Sequence, residues 1–408
     1  MDVSRRGLLR SAAFGGAALA VPLHWADLAA RAAATPVVPR FTDPLTVPHV
    51  VVDDGRPVHL SIRNATHRFH SSLGEAATLA YQATTADGSR VGPASTYLGP
   101  TIVVRRGRST ELTAENRITH HPLAGSLDPT IHGTLATDAE QARTALHLHG
   151  GNTAPKSDGG PLETFPLDSS GAAGFANPYT YSYRNSQEAA GLWYHDHALG
   201  ITRLNVYAGL AAGYLIRDDD DDGSGTRLPA GDYEIPLIIQ DKTFNRDGSQ
   251  FYDPSPWVPE FFGDTPVVNG TAYPFHDVRR GQYRFRVYNG SNARFYRLSL
   301  REKRTGGVLE FLQIGSDGGL LNNPVKLLRL LLAPGERADL IVDFRGLPTG
   351  AVVEMQNNAA TPFPGSAESS RNGGNQIGKI MQFRVDNTRG WDGDVTTGTK
   401  LRAQKVFR

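Results

Sequence analysis

Short runs of β-branched and aromatic residues, separated by turn residues, dominate the chain beyond residue 40. Such runs occupy residues 101–105, 233–240, 283–288 and 338–344. The 44 glycines and 26 prolines are spread evenly, and no long amphipathic helical pattern is visible. Strand-length runs bounded by turn residues are typical of β-sandwiches and barrels. We therefore expect an all-β protein, with hairpin turns at Asp87-Gly88 and Asp247-Gly248.

Length and composition exclude several classes of protein. A chain of 408 residues suits two domains better than one. Hydrophobic residues make up 39% of the chain, charged residues 20%, and the formal net charge is +1. This composition indicates a globular protein without the charge needed to attract nucleic acid or an anionic membrane surface. The chain contains no cysteine, which excludes disulfides, thiolate metal sites and cysteine nucleophiles.

A run of aspartates marks the clearest domain boundary. Five aspartates at 218–222 are followed by Gly-Ser-Gly at 223–225. The spacing of Asp218, Asp220 and Asp222 before Gly223 resembles an EF-hand loop, but Pro229 occupies the position where that loop needs a bidentate glutamate. We therefore interpret 218–225 as a solvated acidic linker.

The linker divides the chain into two predicted β domains, residues 41–217 and 226–386. Residues 387–408 are too few for a third domain, and we expect them to be the start of a domain that is missing here. Residues 361–375 are rich in Pro, Ser, Gly and Asn, which predicts a loop.

The N-terminal segment is typical of a twin-arginine signal peptide. Arg5-Arg6 is followed by a weakly apolar run at 11–23, and small residues at 32–34 suit a signal peptidase. A transmembrane anchor is the weaker alternative, because the run is short and is interrupted by Pro22 and Asp27. Residues 1–34 are therefore expected to direct export, to the periplasm, the cell surface or the medium, with no membrane span in the mature protein.

Two His-x-His pairs are the strongest candidates for a functional site. They are His147 with His149, and His195 with His197. Residues i and i+2 of a strand face the same way, so each pair projects two imidazoles from one surface. Imidazole binds Cu, Zn, Fe and Ni, and two such pairs could hold one or two ions. Spacing alone also fits buried core histidines or a surface pair.

The residues around the pairs are similar to sequence motifs of a known family. Residues 147–151 (HLHGG) and 192–197 (LWYHDH) resemble the first two copper motifs of the multicopper oxidases. Further similar segments are 202–210 (TRLNVYAGL), 268–270 (VNG), 283–287 (YRFRV), 313–319 (QIGSDGG) and 332–337 (LAPGER). Together these resemble the branch of spore-coat laccase, bilirubin oxidase and phenoxazinone synthase, over residues 41–386.

The resemblance implies a fold, a cofactor and residue roles. It implies two cupredoxin-like Greek-key β-sandwich or barrel domains in tandem, with the third domain of the family missing. It also implies that His147 binds the type 2 copper, while His149, His195 and His197 bind the type 3 pair. Asp158 occupies the place of an acidic residue that assists proton delivery, although it also fits a simple Asp-Gly turn.

Three neighbours of the pairs have less specific interpretations. Asp196 lies between two expected ligands and either orients them or reaches solvent. Trp193 and Tyr194 are interpreted as packing residues rather than redox relays. His120, His121, His132 and His276 lie outside the recognised motifs, and we expect them to be ordinary surface or turn residues.

The chain also departs from the family pattern. The family's last domain supplies a His-Pro-x-His-x-His motif and a His-Cys-His motif, and neither occurs in these 408 residues. A type 1 copper needs a cysteine thiolate, so no type 1 copper is expected in this chain. The expectation is a truncated oxidase, inactive alone, that binds at most one or two coppers. With a third-domain polypeptide it would use O₂ and phenols or arylamines. Without that polypeptide, an exposed apolar face on 226–386 predicts self-association.

Two other functions stay open on sequence grounds. One is an exported cupredoxin scaffold that serves a structural or interaction role without redox turnover. The other is a mononuclear site of four histidines with zinc or other hydrolytic chemistry, although no general base is evident beside the pairs.

Overall fold

The computed structural model describes residues 36–165, 176–253, 260–365 and 377–402. The predicted signal peptide and most of the predicted loop at 361–375 lie outside these ranges. Strands dominate the described residues, and four short 3₁₀ turns lie at Ala124–Ser126, Ala136–Ala139, Pro155–Ser157 and Gly231–Tyr233. The helix α1, Thr202–Ala208, has 7 residues, and no helix in the described ranges has the length and apolar character needed to cross a bilayer.

The strands are numbered in chain order. They are β1 (Val50–Val52), β2 (Val58–His67), β3 (Ala76–Thr84), β4 (Thr101–Arg105), β5 (Thr110–Arg117), β6 (Leu146–His149), β7 (Tyr179–Tyr183), β8 (Ala190–Asp196), β9 (Ala211–Arg217), β10 (Glu234–Phe244), β11 (Gln250–Phe251), β12 (Thr265–Val268), β13 (Thr271–Ala272), β14 (Phe275–Arg280), β15 (Gln282–Asn289), β16 (Tyr296–Glu302), β17 (Val308–Leu309), β18 (Phe311–Ser316), β19 (Gly319–Leu327), β20 (Leu330–Leu332), β21 (Arg337–Asp343), β22 (Val352–Asn357) and β23 (Lys379–Arg389).

The predicted all-β class is confirmed, and the sequence runs used to predict it overlap β4, β10, β15 and β21. The turn at Asp247-Gly248 joins β10 to β11, where Asn245 N–H donates to the Ser249 carbonyl. The turn at Asp87-Gly88 follows β3, and Thr84 pairs with Arg90 across it. Both hairpin predictions are confirmed.

The first sandwich contains β1 to β9. One sheet has the order β1-β4-β9-β8-β6, and the facing sheet has the order β3-β2-β5-β7. Parallel pairs (β1 with β4, β4 with β9, β2 with β5) are mixed with antiparallel ones, so the chain crosses repeatedly between the sheets. Buried side chains such as Leu60, Tyr81, Leu192 and Tyr214 belong to one apolar core.

The second sandwich contains β10 to β23. One sheet has the order β13-β12-β10-β15-β21-β18-β19, with β11 added beside β10. The other has the order β14-β23-β22-β16-β17, with β20 beside β16. Its core includes Phe285, Val287, Tyr296 and Phe383.

A third apolar cluster joins the two sandwiches. Phe69, Tyr97 and Trp193 of the first sandwich are buried together with Val267 and Tyr288 of the second. Polar contacts cross the same boundary. Tyr97 Oη donates to Gln240 Oε1 at 2.6 Å, and His67 Nε2 donates to the Gly270 carbonyl at 2.8 Å. The two sandwiches therefore share a continuous, hydrogen-bonded interface.

Two residues of the acidic run at 218–222 are buried, although its composition predicts a solvated linker. Asp218 is 9% exposed and Asp221 is 3% exposed. The carboxylate of Asp221 accepts hydrogen bonds from three arginines, Arg217, Arg284 and Arg286, at 2.7–2.8 Å. The prediction of a solvated segment is therefore wrong for these two residues, because arginines on the adjacent strands pair with Asp221 and a main-chain N–H donates to Asp218.

The residues paired with Asp221 form a buried ionic cluster at the junction of the two sandwiches. Glu234 accepts from Arg217 at 2.5 Å and from Arg286 at 2.8 Å. Asp339 accepts from Arg284 at 2.6 Å. We call these six residues the junction cluster: Arg217, Asp221, Glu234, Arg284, Arg286 and Asp339. Three positive and three negative charges balance within it, as buried charges require.

Residues 387–402, in the segment predicted to begin a further domain, lie against the second sandwich. Strand β23 continues to Arg389, and Val395 and Leu401 are buried with Ile314 and Ile341. The main chain of Val395 exchanges two hydrogen bonds with the Gln282 side chain, at 2.8 and 3.0 Å. The last described residue, Arg402, pairs with Glu188 of the first sandwich.

Candidate metal centre

Strands β6 and β8 carry the four histidines, and their pairing brings the two His-x-His pairs together. The strands are antiparallel neighbours at one end of their sheet, with His147 directly opposite His195 and His149 opposite Trp193. His197 follows the end of β8, where its N–H donates to the Ala145 carbonyl at 2.8 Å. Side chains at alternate positions of both strands therefore face one side of the sheet.

The imidazole rings form a compact group. Ring centroids lie 4.8 Å apart for His147 and His197, and 5.3 Å apart for His149 and His195. One ring nitrogen from each of His147, His149 and His195 lies within 4.8 Å of the others. His195 is buried, and the other three histidines are partly exposed. The group of four histidines is therefore accessible to solvent from one side.

Main-chain carbonyls set the proton positions on two of the rings. His147 Nδ1 lies 2.6 Å from the carbonyl oxygen of Asp158, and His195 Nδ1 lies 2.6 Å from that of Asp196. A carbonyl oxygen only accepts, so Nδ1 carries the hydrogen in both rings and Nε2 keeps its lone pair. Nδ1 of His149 lies 3.1 Å from Nε2 of His195.

The surroundings favour neutral imidazoles. Burial lowers the pKa of His149 to about 4, and the nearby Arg337 guanidinium adds to this effect. Burial also lowers the pKa of His195 well below its usual value and lowers the pKa of His197. Neutral imidazole is the form that binds metals, so these rings are ready to bind an ion without losing a proton.

The donor set fits a copper ion. Nε2 of His195 keeps its lone pair and lies 3.1 Å from Nδ1 of His149, a distance at which either a proton or a cation must lie between the two nitrogens. Nδ1 of His197 is buried and has no hydrogen-bond partner among the described residues. Imidazole nitrogens suit copper, and the carbonyl oxygens that accept from His147 and His195 orient these rings as such acceptors orient metal-bound histidines in other proteins.

Asp158 lies beside His147 at the end of the turn Pro155–Ser157. Its carbonyl oxygen accepts from His147, whereas its carboxylate lies farther away, with Oδ1 3.7 Å from Nδ1. Oδ1 accepts from Thr153 Oγ1 at 2.8 Å, and 46% of the side chain is exposed. The carboxylate thus sits between the histidine group and solvent.

Asp196 does not reach solvent. Of its two predicted interpretations, the one that placed its side chain in solvent is therefore wrong. The residue is 0% exposed, and its carboxylate accepts from the N–H groups of Ala145 and Ala198 at 3.1 and 3.0 Å. Burial raises the pKa of Asp196 to about 7. The side chain fixes the two segments that flank the ligand strands, while its carbonyl oxygen orients His195.

Aromatic neighbours pack around the histidines as expected. The Trp193 ring lies 4.3 Å from that of His195 and 5.3 Å from that of His149, and the residue is 5% exposed. Tyr194 is fully buried on the opposite face, where its hydroxyl donates to the Pro100 carbonyl at 2.8 Å.

His121 is not a surface residue. It is 2% exposed, its Nε2 donates to Asn205 Oδ1 at 3.0 Å, and burial lowers its pKa to about 4. Asn205 in turn donates to the Arg143 carbonyl, which links helix α1 to the segment before β6. Nothing in the sequence around His121 signals this role, because its partner lies far along the chain.

Sequence reasoning also missed two residues from the second sandwich. Gly335 lies against the ring of His149, and Arg337 lies beside Gly150 and β8. Both belong to the segment 332–337 that resembles the family. No local pattern, however, indicates that this segment contacts a histidine almost two hundred positions earlier.

Paired histidines on neighbouring strands of a tandem β-sandwich form a candidate metal centre whose imidazole donors suit copper. Comparisons with known proteins assign the chain to a class of copper proteins. A family model for multicopper oxidases matches residues 135–221. The laccase of Bacillus subtilis is 38% identical over 368 residues, which cover 85% of this chain and 65% of the relative. The laccase of Bacillus stratosphericus is 40% identical and covers 76% of this chain and 58% of the relative.

A solved structure extends the likeness to the fold. The McoA multicopper oxidase of Aquifex aeolicus is 30% identical, with a TM-score of 0.69, and the match covers 90% of this chain and 69% of that one. The chain therefore belongs to the multicopper oxidase family, with copper as the implied cofactor, and its two sandwiches are cupredoxin-like. It spans less than two thirds of the two laccases.

Proposed function

We propose that this chain forms the part of a laccase-like multicopper oxidase that holds half of a three-copper site. His147 would bind the type 2 copper, and His149, His195 and His197 would bind the type 3 pair. The observation that carries this proposal is the convergence of all four imidazoles across the β6–β8 pair. When bound, copper supplies electrons to O₂ for its reduction to water.

The residues of this chain orient and protect that site. The carbonyl groups of Asp158 and Asp196 hold two rings with Nε2 facing the group. Trp193 covers two rings and excludes water from one side. The half-exposed carboxylate of Asp158 is placed to pass protons between solvent and the site.

Substrate oxidation requires residues that this chain does not contain. A type 1 copper needs a thiolate, and there is no cysteine in the 408 residues. We propose that the chain alone has no laccase turnover, and that a further domain or polypeptide supplies the type 1 site and the remaining ligands. Phenols or arylamines would be oxidised there.

Copper titration tests this proposal. The purified chain, titrated with Cu(II) against a chromophoric chelator, should bind one or two ions. His195→Ala with His197→Ala should abolish binding, whereas His120→Ala, which removes an exposed imidazole, should leave it unchanged. Wild-type protein that binds no copper would contradict the proposal and favour the scaffold function.

Export is a separate part of the proposal. We propose that Arg5 and Arg6 direct the chain through the twin-arginine route. Replacing both residues by lysine should leave the protein in the cytoplasm while retaining net charge. Equal export of the variant and the wild type would contradict this route.

A further inference from the structure

Within the described part of the chain, no main-chain hydrogen bond fixes the ring of His149. His147 and His195 each donate to a carbonyl oxygen, at 2.6 Å in both cases. Among the described residues, the one hydrogen-bond contact of the His149 ring is Nδ1 with Nε2 of His195. Its orientation must therefore come from packing against neighbouring atoms.

Packing acts on His149 from both sandwiches. Trp193, on the adjacent strand, places its ring 5.3 Å from that of His149. Gly335 approaches from the second sandwich. A Cβ atom added to Gly335 would lie 3.1 Å from Cε1 and 3.6 Å from Nε2 of His149. Gly335 thus lies beside the Cε1–Nε2 edge of the His149 ring, with no room for a side chain at ordinary contact distance.

Arg337 fixes the position of Gly335. The Arg337 side chain is 6% exposed, and its Nη1 donates to the Gly335 carbonyl at 3.2 Å. Its Nε donates to the Gly191 carbonyl of β8 at 3.3 Å, and its Nη1 pairs with Asp317 Oδ1 at 2.9 Å. One buried guanidinium therefore ties the turn that carries Gly335 to the strand that carries His195.

We infer that Gly335 is a positioning residue for His149, which makes the copper half-site a feature of both sandwiches. The backbone of Gly335 limits rotation of the ring and keeps Nδ1 directed at the other nitrogens. A Cβ atom at this position would lie closer to Cε1 of His149 than ordinary van der Waals contact allows, so the ring would have to shift slightly. The inference rests on the proposed function, since it assumes that the histidines bind copper.

A pair of matched glycine substitutions tests the inference. Gly335 has φ +84°, and Gly350, on another turn of the same sandwich, has φ +79° with nothing within 4 Å of an added Cβ. Gly335→Ala and Gly350→Ala therefore impose similar backbone strain, but only the first contacts His149. We expect Gly335→Ala to weaken Cu(II) binding by about 10-fold, as loss of an orienting contact does, and Gly350→Ala to leave it unchanged.

A second variant, His149→Ala, distinguishes a positioning effect on His149 from a general loss of stability. In His149→Ala protein, which keeps three imidazoles, Gly335→Ala should have no further effect on Cu(II) affinity. In metal-free protein, the Cε1–H NMR resonance of His149 should shift in Gly335→Ala and stay in place in Gly350→Ala.

Three results would overturn the inference while the proposed function stands. They are wild-type copper affinity in Gly335→Ala, an equal loss in Gly350→Ala, and an unmoved His149 resonance. Wild-type protein that binds no copper would overturn the proposed function and this inference together, so the two failures are distinguishable.

Discussion

Asp158 has two separate roles beside His147. Its main-chain carbonyl orients the ring, and its carboxylate is the group proposed to deliver protons. The carbonyl oxygen accepts from the ring at 2.6 Å, whereas the nearer carboxylate oxygen lies 3.7 Å away. The contact that sets the ring therefore does not depend on the side chain. Only proton delivery does.

Asp158→Ala should consequently bind copper almost as tightly as the wild type. The loss should be far smaller than the roughly 10- to 100-fold that follows removal of an orienting group. O₂ consumption should fall when the variant is combined with a domain that completes the site. Chelator competition measures the first effect and an oxygen electrode the second. A large loss of affinity would show that the carboxylate itself orients His147.

At the residue scale, sequence predicted which histidines lie together better than it predicted their surroundings. The i, i+2 spacing predicted that each histidine pair shares a face, and the resemblance singled out all four residues. The burial of Asp196 and His121 could not be predicted, because their partners, such as Ala145 and Asn205, lie elsewhere in the chain. Polar residues are buried where distant donors happen to meet them.

Helix α1 shows how one glycine sets the connection to a strand of the site's sheet. Gly209 ends the helix with φ +134°, and its N–H donates to the carbonyl groups of Asn205 and Val206. A Cβ atom there would lie 2.1 Å from the Leu79 carbonyl oxygen. The turn into β9 therefore has no room for a side chain.

Gly209→Ala should lower the free energy of unfolding by about 3 kcal/mol or more, because it adds a clash to backbone strain. Gly107→Ala is the control. Gly107 has φ +76° and nothing within 4 Å of an added Cβ, so its substitution should cost about 1–2 kcal/mol. Urea unfolding followed by fluorescence measures both. Equal losses would mean that the contact with Leu79 is relieved at little cost.

The junction cluster should make the protein sensitive to acid. Neighbouring arginines, opposed by burial, lower the pKa of Glu234 to about 2 from 4.5, and hold that of Asp221 well below its usual value. Because the folded pKa lies below the unfolded one, these carboxylates stabilise the fold above about pH 4.5. That stabilisation is lost as the pH falls toward 2.

Glu234→Gln should reduce the slope of unfolding free energy against pH between about 4.5 and 2. Glu310→Gln, which removes an exposed carboxylate paired with Lys326, should keep the wild-type slope. Urea unfolding at a series of pH values provides the comparison. An unchanged slope in Glu234→Gln would contradict the role assigned to this carboxylate.

The sequence predicts an element well where its local pattern determines the structure. It predicts poorly where the burial of a segment depends on charges from distant strands. The β-branched run at 101–105 and the Asp-Gly turns lie where expected. The run at 218–222 seemed solvated because consecutive aspartates repel one another. The arginines that bury Asp221 come partly from β15, more than sixty residues later.

The two sandwiches should unfold as one unit. The apolar cluster of Phe69, Trp193 and Tyr288 and the junction cluster both lie across their boundary. Exposing either alone would uncover apolar surface and unpaired buried charges. Scanning calorimetry should show one transition whose calorimetric and van't Hoff enthalpies agree. Two resolved transitions would show that the interface contributes little to stability.

For the whole molecule, composition and resemblance predicted the class and the two cupredoxin-like sandwiches, but not how they meet. A buried strand residue looks the same in sequence whether it faces its own core or the neighbouring sandwich. Tyr288 and Trp193 are examples, since both lie in the shared cluster. The proximity of Gly335 to His149 could not be predicted from the sequence for the same reason.

Strand β6 lies at the end of its sheet, so its backbone hydrogen bonds should open more often than those of β8. Strand β8 is held between β9 and β6, whereas β6 pairs with β8 alone within the described residues. Amide hydrogens at a sheet edge exchange through local openings that central strands do not share. Deuterium should therefore enter 146–149 much sooner than 190–196. An ion bound to both pairs favours the closed form, so it should slow exchange most at the edge. The strand that opens first, β6, is therefore the strand whose exchange rate metal binding should change most.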